Sequence, residues 1–282
     1  MKAKRTISIC VAIVFALVIL FPFYLVLINS AKESANIIID PIGIPEKWMN
    51  LFSNIKKVIN NEQYNYWAAF RSSIFITVAS LFLLILFASM AAWRMCRSNK
   101  KWASVLLTIF VASMIVPFQS VMFPVLSVYR DISNFTGIRL LQSYTGIIFA
   151  YVGFGGPMAI FMLHGFVKKI PYELEEAAYI DGASSERIFF QIVLPLLRPI
   201  QVTIVILDGV WFWNDYLLPS LLLGQSGKIR TLPVAIASFI GSYVKQWDMI
   251  LTAALMSMLP MIILFLVAQK QIVKGMVDGA VK

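Results

Sequence analysis

The sequence predicts an all-helical integral membrane domain of six transmembrane helices, and three observations carry that prediction. Hydrophobic residues make up 60% of the chain and charged residues 13%, against about 45–50% and about 25% in soluble domains. The hydrophobic residues fall into blocks of about twenty, the length that crosses a hydrocarbon core of about 30 Å at about 1.5 Å per residue. The basic residues behind the net charge of +10 sit between those blocks. They therefore orient helices and do not form the single basic face of a nucleic-acid binder.

The first block, 7–28, follows Lys2, Lys4 and Arg5. It exceeds the roughly 7–15 residues of a signal-peptide core, and no small-x-small cleavage pattern follows it, so it is expected to be a retained helix. Blocks 73–93, 103–124, 144–163, 200–222 and 250–268 complete the six. Pro22, Pro117 and Pro157 lie within blocks and predict kinks, tolerable where neighbouring helices satisfy the freed carbonyls. Trp67, Trp93, Trp102 and Tyr144 stand at block ends, where an aromatic belt places such rings. An even number of spans puts both termini on one side. Fourteen Lys and Arg residues lie in the N-terminal tail, loops 94–102 and 165–199 and the C-terminal tail, against nine in the other three loops, with Arg71 at a boundary. The positive-inside rule then assigns both termini to the cytoplasm. With no internal repeat, low-complexity tract or Gly/Ser linker, residues 1–282 are expected to form a single transmembrane domain. Cys10 and Cys96 define no disulfide framework, and metal binding through Cys and His is not expected.

Loop 165–199 carries the most information. Pro171 suits the first turn of a helix, and Glu173, Glu175 and Glu176 complement the positive end of its dipole. Asp181-Gly182 ends that helix, since Gly accepts the left-handed conformation that stops it. A second short helix, 183–192, leads through Leu194-Pro195 back to the bilayer. The product is a helix-turn-helix knob, with small Ala177 and Ala178 admitting close approach by another protein. A plain interfacial helix joining two spans is the competing reading of such a charged loop.

Glu176-Ala177-Ala178, Gly182 after three residues, and Ile192-x-Leu194-Pro195 after nine more resemble the EAA loop of ATP-binding-cassette (ABC) importer permeases at every fixed position. The wider chain is similar to the carbohydrate, maltose-type branch in Pro22, Ser30-x-Lys32, Phe70-Arg-x-Ser73, Pro117-x-Gln119, Trp213-Asn-Asp-Tyr216 with Pro219, Thr231-Leu-Pro233 and Gly275-x-x-x-Gly279-Ala-Val-Lys282. Ala91-Ala-Trp93 departs from it, where the branch has a Tyr-containing run of small residues. The resemblance implies a type I ABC importer transmembrane domain, a permease subunit in a bacterial or archaeal cell membrane, and import of a di- or oligosaccharide. It implies that Glu176, Ala177, Ala178, Asp181 and Gly182 form an ATPase-coupling site, Glu176 as the charged contact and Gly182 as the turn. The implied partners are a homologous second permease, two ATPase subunits, an extracytoplasmic sugar-binding protein and membrane lipid, with no nucleic acid. The chain itself would bind no cofactor and be no enzyme, because ATP and Mg are used by the partner subunits. By the same resemblance, segment 224–246 would touch the binding protein and tail 271–282 would reach between the ATPase subunits, Gly275 and Gly279 marking it as more than a helix stub.

A permease of the same superfamily for a non-sugar solute is the nearest alternative. An ion-coupled secondary carrier is a more distant one, expected to show internal repeats or midplane charged pairs. Trp213, Asn214, Asp215 and Tyr216 are translocation-path candidates. The two aromatic residues suit either sugar stacking or an aromatic belt, while Asn214 and Asp215 suit either pore lining or packing. Asp208 is open to the same two readings, because ionisable groups at membrane depth are costly. His164 is expected at an interface. Gly224-Gln-Ser-Gly-Lys228 is too short between its glycines for a phosphate loop.

Overall fold

The computed structural model describes residues 2–62, 64–224, 227–240 and 246–280, with side chains for 6–267 and 269 among these. Among the described residues every regular element is helical: α1 Lys2–Ser30, α2 Ser34–Ile39, α3 Asn50–Asn60, α4 Tyr66–Cys96, α5 Lys101–Ser113, α6 Phe118–Thr136, α7 Tyr144–Val167, α8 Glu173–Ile180, α9 Ser185–Ile188, α10 Leu194–Leu196, α11 Arg198–Asn214, α12 Leu217–Leu222, α13 Leu232–Ala237 and α14 Trp247–Ala280. Four helical segments are long and apolar enough to cross a membrane: Thr6–Ser30, Tyr66–Cys96, Tyr144–Val167 and Trp247–Val267. Two bent pairs, Lys101–Ser113 with Phe118–Thr136 and Ser185–Leu196 with Arg198–Asn214, raise the number to six if each is one span.

The expected block 103–124 is thus not one helix. It turns through 109° between Ser113 and Phe118, and Pro117, without an N–H, stands at the break as the residue preceding α6. The expected block 200–222 stops at Asn214 and resumes as α12. Tail 271–282 was expected to be more than a helix stub, and the backbone of α14 runs through both glycines to Ala280. Within segment 224–246, residues 225, 226 and 241–245 lie outside the described residues.

The chain divides into two compact units. The first takes Met1–Ala69 and Leu232–Ile262. Most of α1 is exposed and apolar on every side, as lipid contact requires. Its end is sealed by polar groups. The carbonyl of Ser30 accepts from Asn54 Nδ2 at 3.0 Å and Thr252 Oγ1 at 3.1 Å, and Lys32 Nζ donates to the Asp40 carbonyl at 2.6 Å. Last-turn carbonyls have no partner inside a helix, so Ser30-x-Lys32 marks a terminus whose Ser30 carbonyl is satisfied from two other segments while Lys32 is anchored to a third. Asp248 joins this clasp by accepting from Ser34 Oγ at 2.6 Å and pairing with Lys57 at 3.5 Å.

The second unit takes Phe70–Thr231 and Ile263–Lys282. Its core gathers Leu84, Ile147, Tyr151, Leu163, Ile188, Leu197, Ile204 and Phe212, all nearly inaccessible. Small residues let its helices approach. A Cβ on Gly155 of α7 would lie 3.2 Å from Leu84 of α4 and 3.3 Å from Phe212 of α11, and one on Gly209 would lie 3.3 Å from Leu81. Without a hydrophobic drive between helices in lipid, such close van der Waals contact is what holds them together.

Candidate functional site

The knob forms in the second unit as its residues dictate. Helix α8 carries Glu173, Glu175 and Glu176 in its first turn, complementing the dipole. Gly182, at φ +80°, ends it. Ala183 N donates to Ala178 O at 2.9 Å and Gly182 N to Tyr179 O at 3.0 Å, the paired bonds of a Schellman stop. The second knob helix begins later than residue 183: Ser184 accepts from Arg187 N and opens α9. The ladder then widens to a π turn over Phe189–Val193 just before Pro195, which has no N–H to continue α-helical bonding. The path returns to α11 with Ile188, Phe189, Val193 and Leu197 buried.

The two faces of α8 differ. Glu175 is 1% exposed. Its Oε1 accepts from Arg97 Nε at 2.9 Å, its Oε2 accepts from Trp93 Nε1 at 3.0 Å, and Arg97 also donates to the Ile170 carbonyl at 2.9 Å. The Arg97 guanidinium lies 5.4 Å from the Tyr172 ring centre. The knob is thereby pinned to the end of α4 by an ion pair in which the buried Glu175 carboxylate has both oxygens engaged. Glu176, Ala177, Tyr179, Asp181 and Gly182 are exposed, and Ile180 is 85% exposed. Ala178 instead packs inward against the core, so of the two small residues only Ala177 faces outward.

Sequence reading missed Glu175, Arg97 and Trp93. Arg97 counted as an orienting charge and Trp93 as a belt residue. The available signal was their i, i+4 spacing, which sets both on one face of α4.

The fifth-block candidates do not share one surface. Trp213 is buried edge-on to Phe70 at 6.0 Å between ring centres. Asn214 is exposed and bonds back to the Val210 carbonyl. Asp215 accepts from Leu217 N at 3.0 Å and Tyr151 Oη at 3.2 Å, tying the end of α11 to the start of α12 and to α7. Tyr216 is exposed. Two residues one and two turns earlier, Asp208 and Trp211, line a cavity of about 670 Å³ bounded by the α5–α6 bend, α7 and α11. His164 is buried near the end of α7.

An all-helical unit of membrane-length spans that presents a pinned helix-turn-helix knob defines a polytopic membrane protein. A profile of the family described as "Binding-protein-dependent transport system inner membrane component" matches residues 84–278, and the chain belongs to that family. It is 37% identical to a probable starch degradation products transport system permease protein of Thermoanaerobacterium thermosulfurigenes, over 96% of this chain and 94% of that one. It is 35% identical to a melibiose/raffinose/stachyose import permease protein of Bacillus subtilis, over 100% and 98%. Its fold matches a chain of a bacterial ABC transporter involved in import of the acidic polysaccharide alginate, with TM-score 0.80 at 22% identity, covering 96% of this chain and 98% of that one.

Proposed function

We propose that this chain is the permease subunit of an ATP-driven importer, translocating an oligosaccharide handed over by an extracytoplasmic binding protein. The observation that carries the reading is the division of α8 into a pinned face and a free face. The free face, Glu176 to Gly182, docks in a cleft of an ATPase subunit. The pinned face transmits the movement through Glu175 and Arg97 to α4. Six spans place both termini and the knob in the cytoplasm, and a second, homologous permease closes the path. Two ATPase subunits use ATP and Mg; this chain hydrolyses nothing. Relatives that import starch fragments and raffinose-type sugars support an uncharged oligosaccharide as cargo.

The test is ATP-driven uptake by the complete importer in proteoliposomes, with a panel of oligosaccharides, alongside labelling of single cysteines at Ser98 and Ser185. Uptake should require the ATPase subunits, and both positions should label from the cytoplasmic side. Labelling of position 185 from outside, or uptake driven by an ion gradient without the ATPase, would overturn the reading.

A further inference from the structure

The cavity between the α5–α6 bend, α7 and α11 lies wholly within the second unit. Its volume of about 670 Å³ sits within the roughly 300–1,000 Å³ usual for small-molecule sites. Apolar walls supply most of the lining, including the aromatic faces of Phe118, Phe149 and Trp211. Trp211 and Phe149 are exposed, so part of each ring is left uncovered by this chain. Asp208 is the lining residue of a different kind. It is 5% exposed, lines the cavity, and among the described residues makes no hydrogen bond or ion pair through its carboxyl. No lining residue is basic.

A carboxyl group at membrane depth with no partner is expensive to keep. Groups held at such cost mark sites where something else supplies the partner. Lipid tails have no donor to offer it. A saccharide offers many, and it also presents the flat C–H faces that settle against aromatic rings. An acidic sugar would bring its own carboxylate into an apolar cavity with no basic residue to offset it, which costs rather than stabilises.

We infer that this cavity is a sugar subsite contributed by this permease, with Asp208 accepting hydroxyl hydrogen bonds and Trp211 and Phe149 supplying stacking faces for an uncharged oligosaccharide. The inference rests on the proposed function and deepens it. Asp215, which bonds Tyr151 and Leu217 and does not line the cavity, takes no part.

The experiment uses the complete importer, with Cys10→Ser and Cys96→Ser in this chain and a cysteine at Met158, a cavity residue. Labelling by N-ethylmaleimide is timed with maltotriose, raffinose or trigalacturonate present, and uptake of the first two is measured in parallel. Whichever uncharged trisaccharide is taken up should slow labelling several-fold, and trigalacturonate should not. Adding Asp208→Asn should abolish the protection and lower uptake at limiting sugar by about 5-fold, the worth of one net hydrogen bond, while the subunits still copurify. Asp208→Glu should restore part of both. Uptake without protection at position 158 overturns the subsite alone, as does wild-type uptake by Asp208→Asn, or labelling blocked with and without sugar because the second permease fills the cavity. Equal protection by trigalacturonate overturns the restriction to uncharged sugars. Absence of uptake for every oligosaccharide tried overturns the proposed function and the subsite with it.

Discussion

The knob and the end of α11 each hold one acid that is fastened and one that, among the described residues, is left free. At the knob the fastened acid is Glu175, held by a guanidinium and an indole N–H, and the free one is Glu176, its neighbour. At α11 the fastened acid is Asp215, held by a phenol and a backbone N–H, and the free one is Asp208, two turns earlier. The difference lies in what does the fastening. A buried charge pair resists separation far more than neutral hydrogen bonds, because either charge left alone must be desolvated without compensation. The first arrangement suits a joint that carries force, and the second suits a fixed corner that only has to hold shape.

Breaking the charged joint should give the largest effect. Arg97→Ala strands Glu175 in the interior and should cost about 3–5 kcal/mol. The purified complex should melt earlier, and uptake should collapse. Arg97→Lys keeps the charge but loses the forked geometry, so it should fall between the two. An Arg97→Ala complex with unchanged melting would mean that the joint does not hold the knob.

Glu176→Lys sharpens the comparison from the free side. If Glu176 meets a basic residue of the ATPase, loss of a desolvated contact of about 2 kcal/mol or more predicts roughly a 30-fold fall in affinity there. The exposed position predicts a stability change within about 0.5 kcal/mol. Uptake should fall while melting stays put, the reverse of a folding defect. Normal uptake by this variant would remove Glu176 from the interface.

Gly182→Ala probes the turn between the faces. A Cβ there meets nothing within 4 Å, so the whole penalty is the backbone at φ +80°, about 1–2 kcal/mol. The readout is local: trypsin cleavage at Arg187 should speed up relative to wild type. An unchanged cleavage rate would show that the turn tolerates a side chain.

The neutral corner should respond least. Tyr151→Phe removes one hydrogen bond to Asp215, whose backbone bonds remain, and predicts a loss of about 0.5–1.5 kcal/mol, seen as a small drop in melting temperature with uptake near wild type. A loss as large as that of Arg97→Ala would erase the distinction between the two regions.

Several features were legible from local sequence because local forces make them. Hydrophobic length set the helical blocks, Gly182 set the stop of α8 through its access to positive φ, and the acidic first turn set where that helix begins. Pro117 marked the break between α5 and α6, but not its angle, since a proline removes a hydrogen bond without choosing the direction of the turn. Which glutamate is pinned was not legible. Glu175 and Arg97 are 78 residues apart, and adjacent glutamates look alike until α8 is laid against α4. The roles in α11 were equally hidden. The sequence marked Trp213 to Tyr216 by its aromatic density, while burial of Trp213 depends on α4 and engagement of Asp215 and exposure of Asp208 to a cavity depend on where α7 packs. The sequence alone determined the apolar blocks, the stop of the knob's first helix and the family motif, because hydrophobic runs, caps and spacing act within a few residues. Only tertiary structure decided which acids are fastened and which are free, because that depends on partners supplied by distant helices.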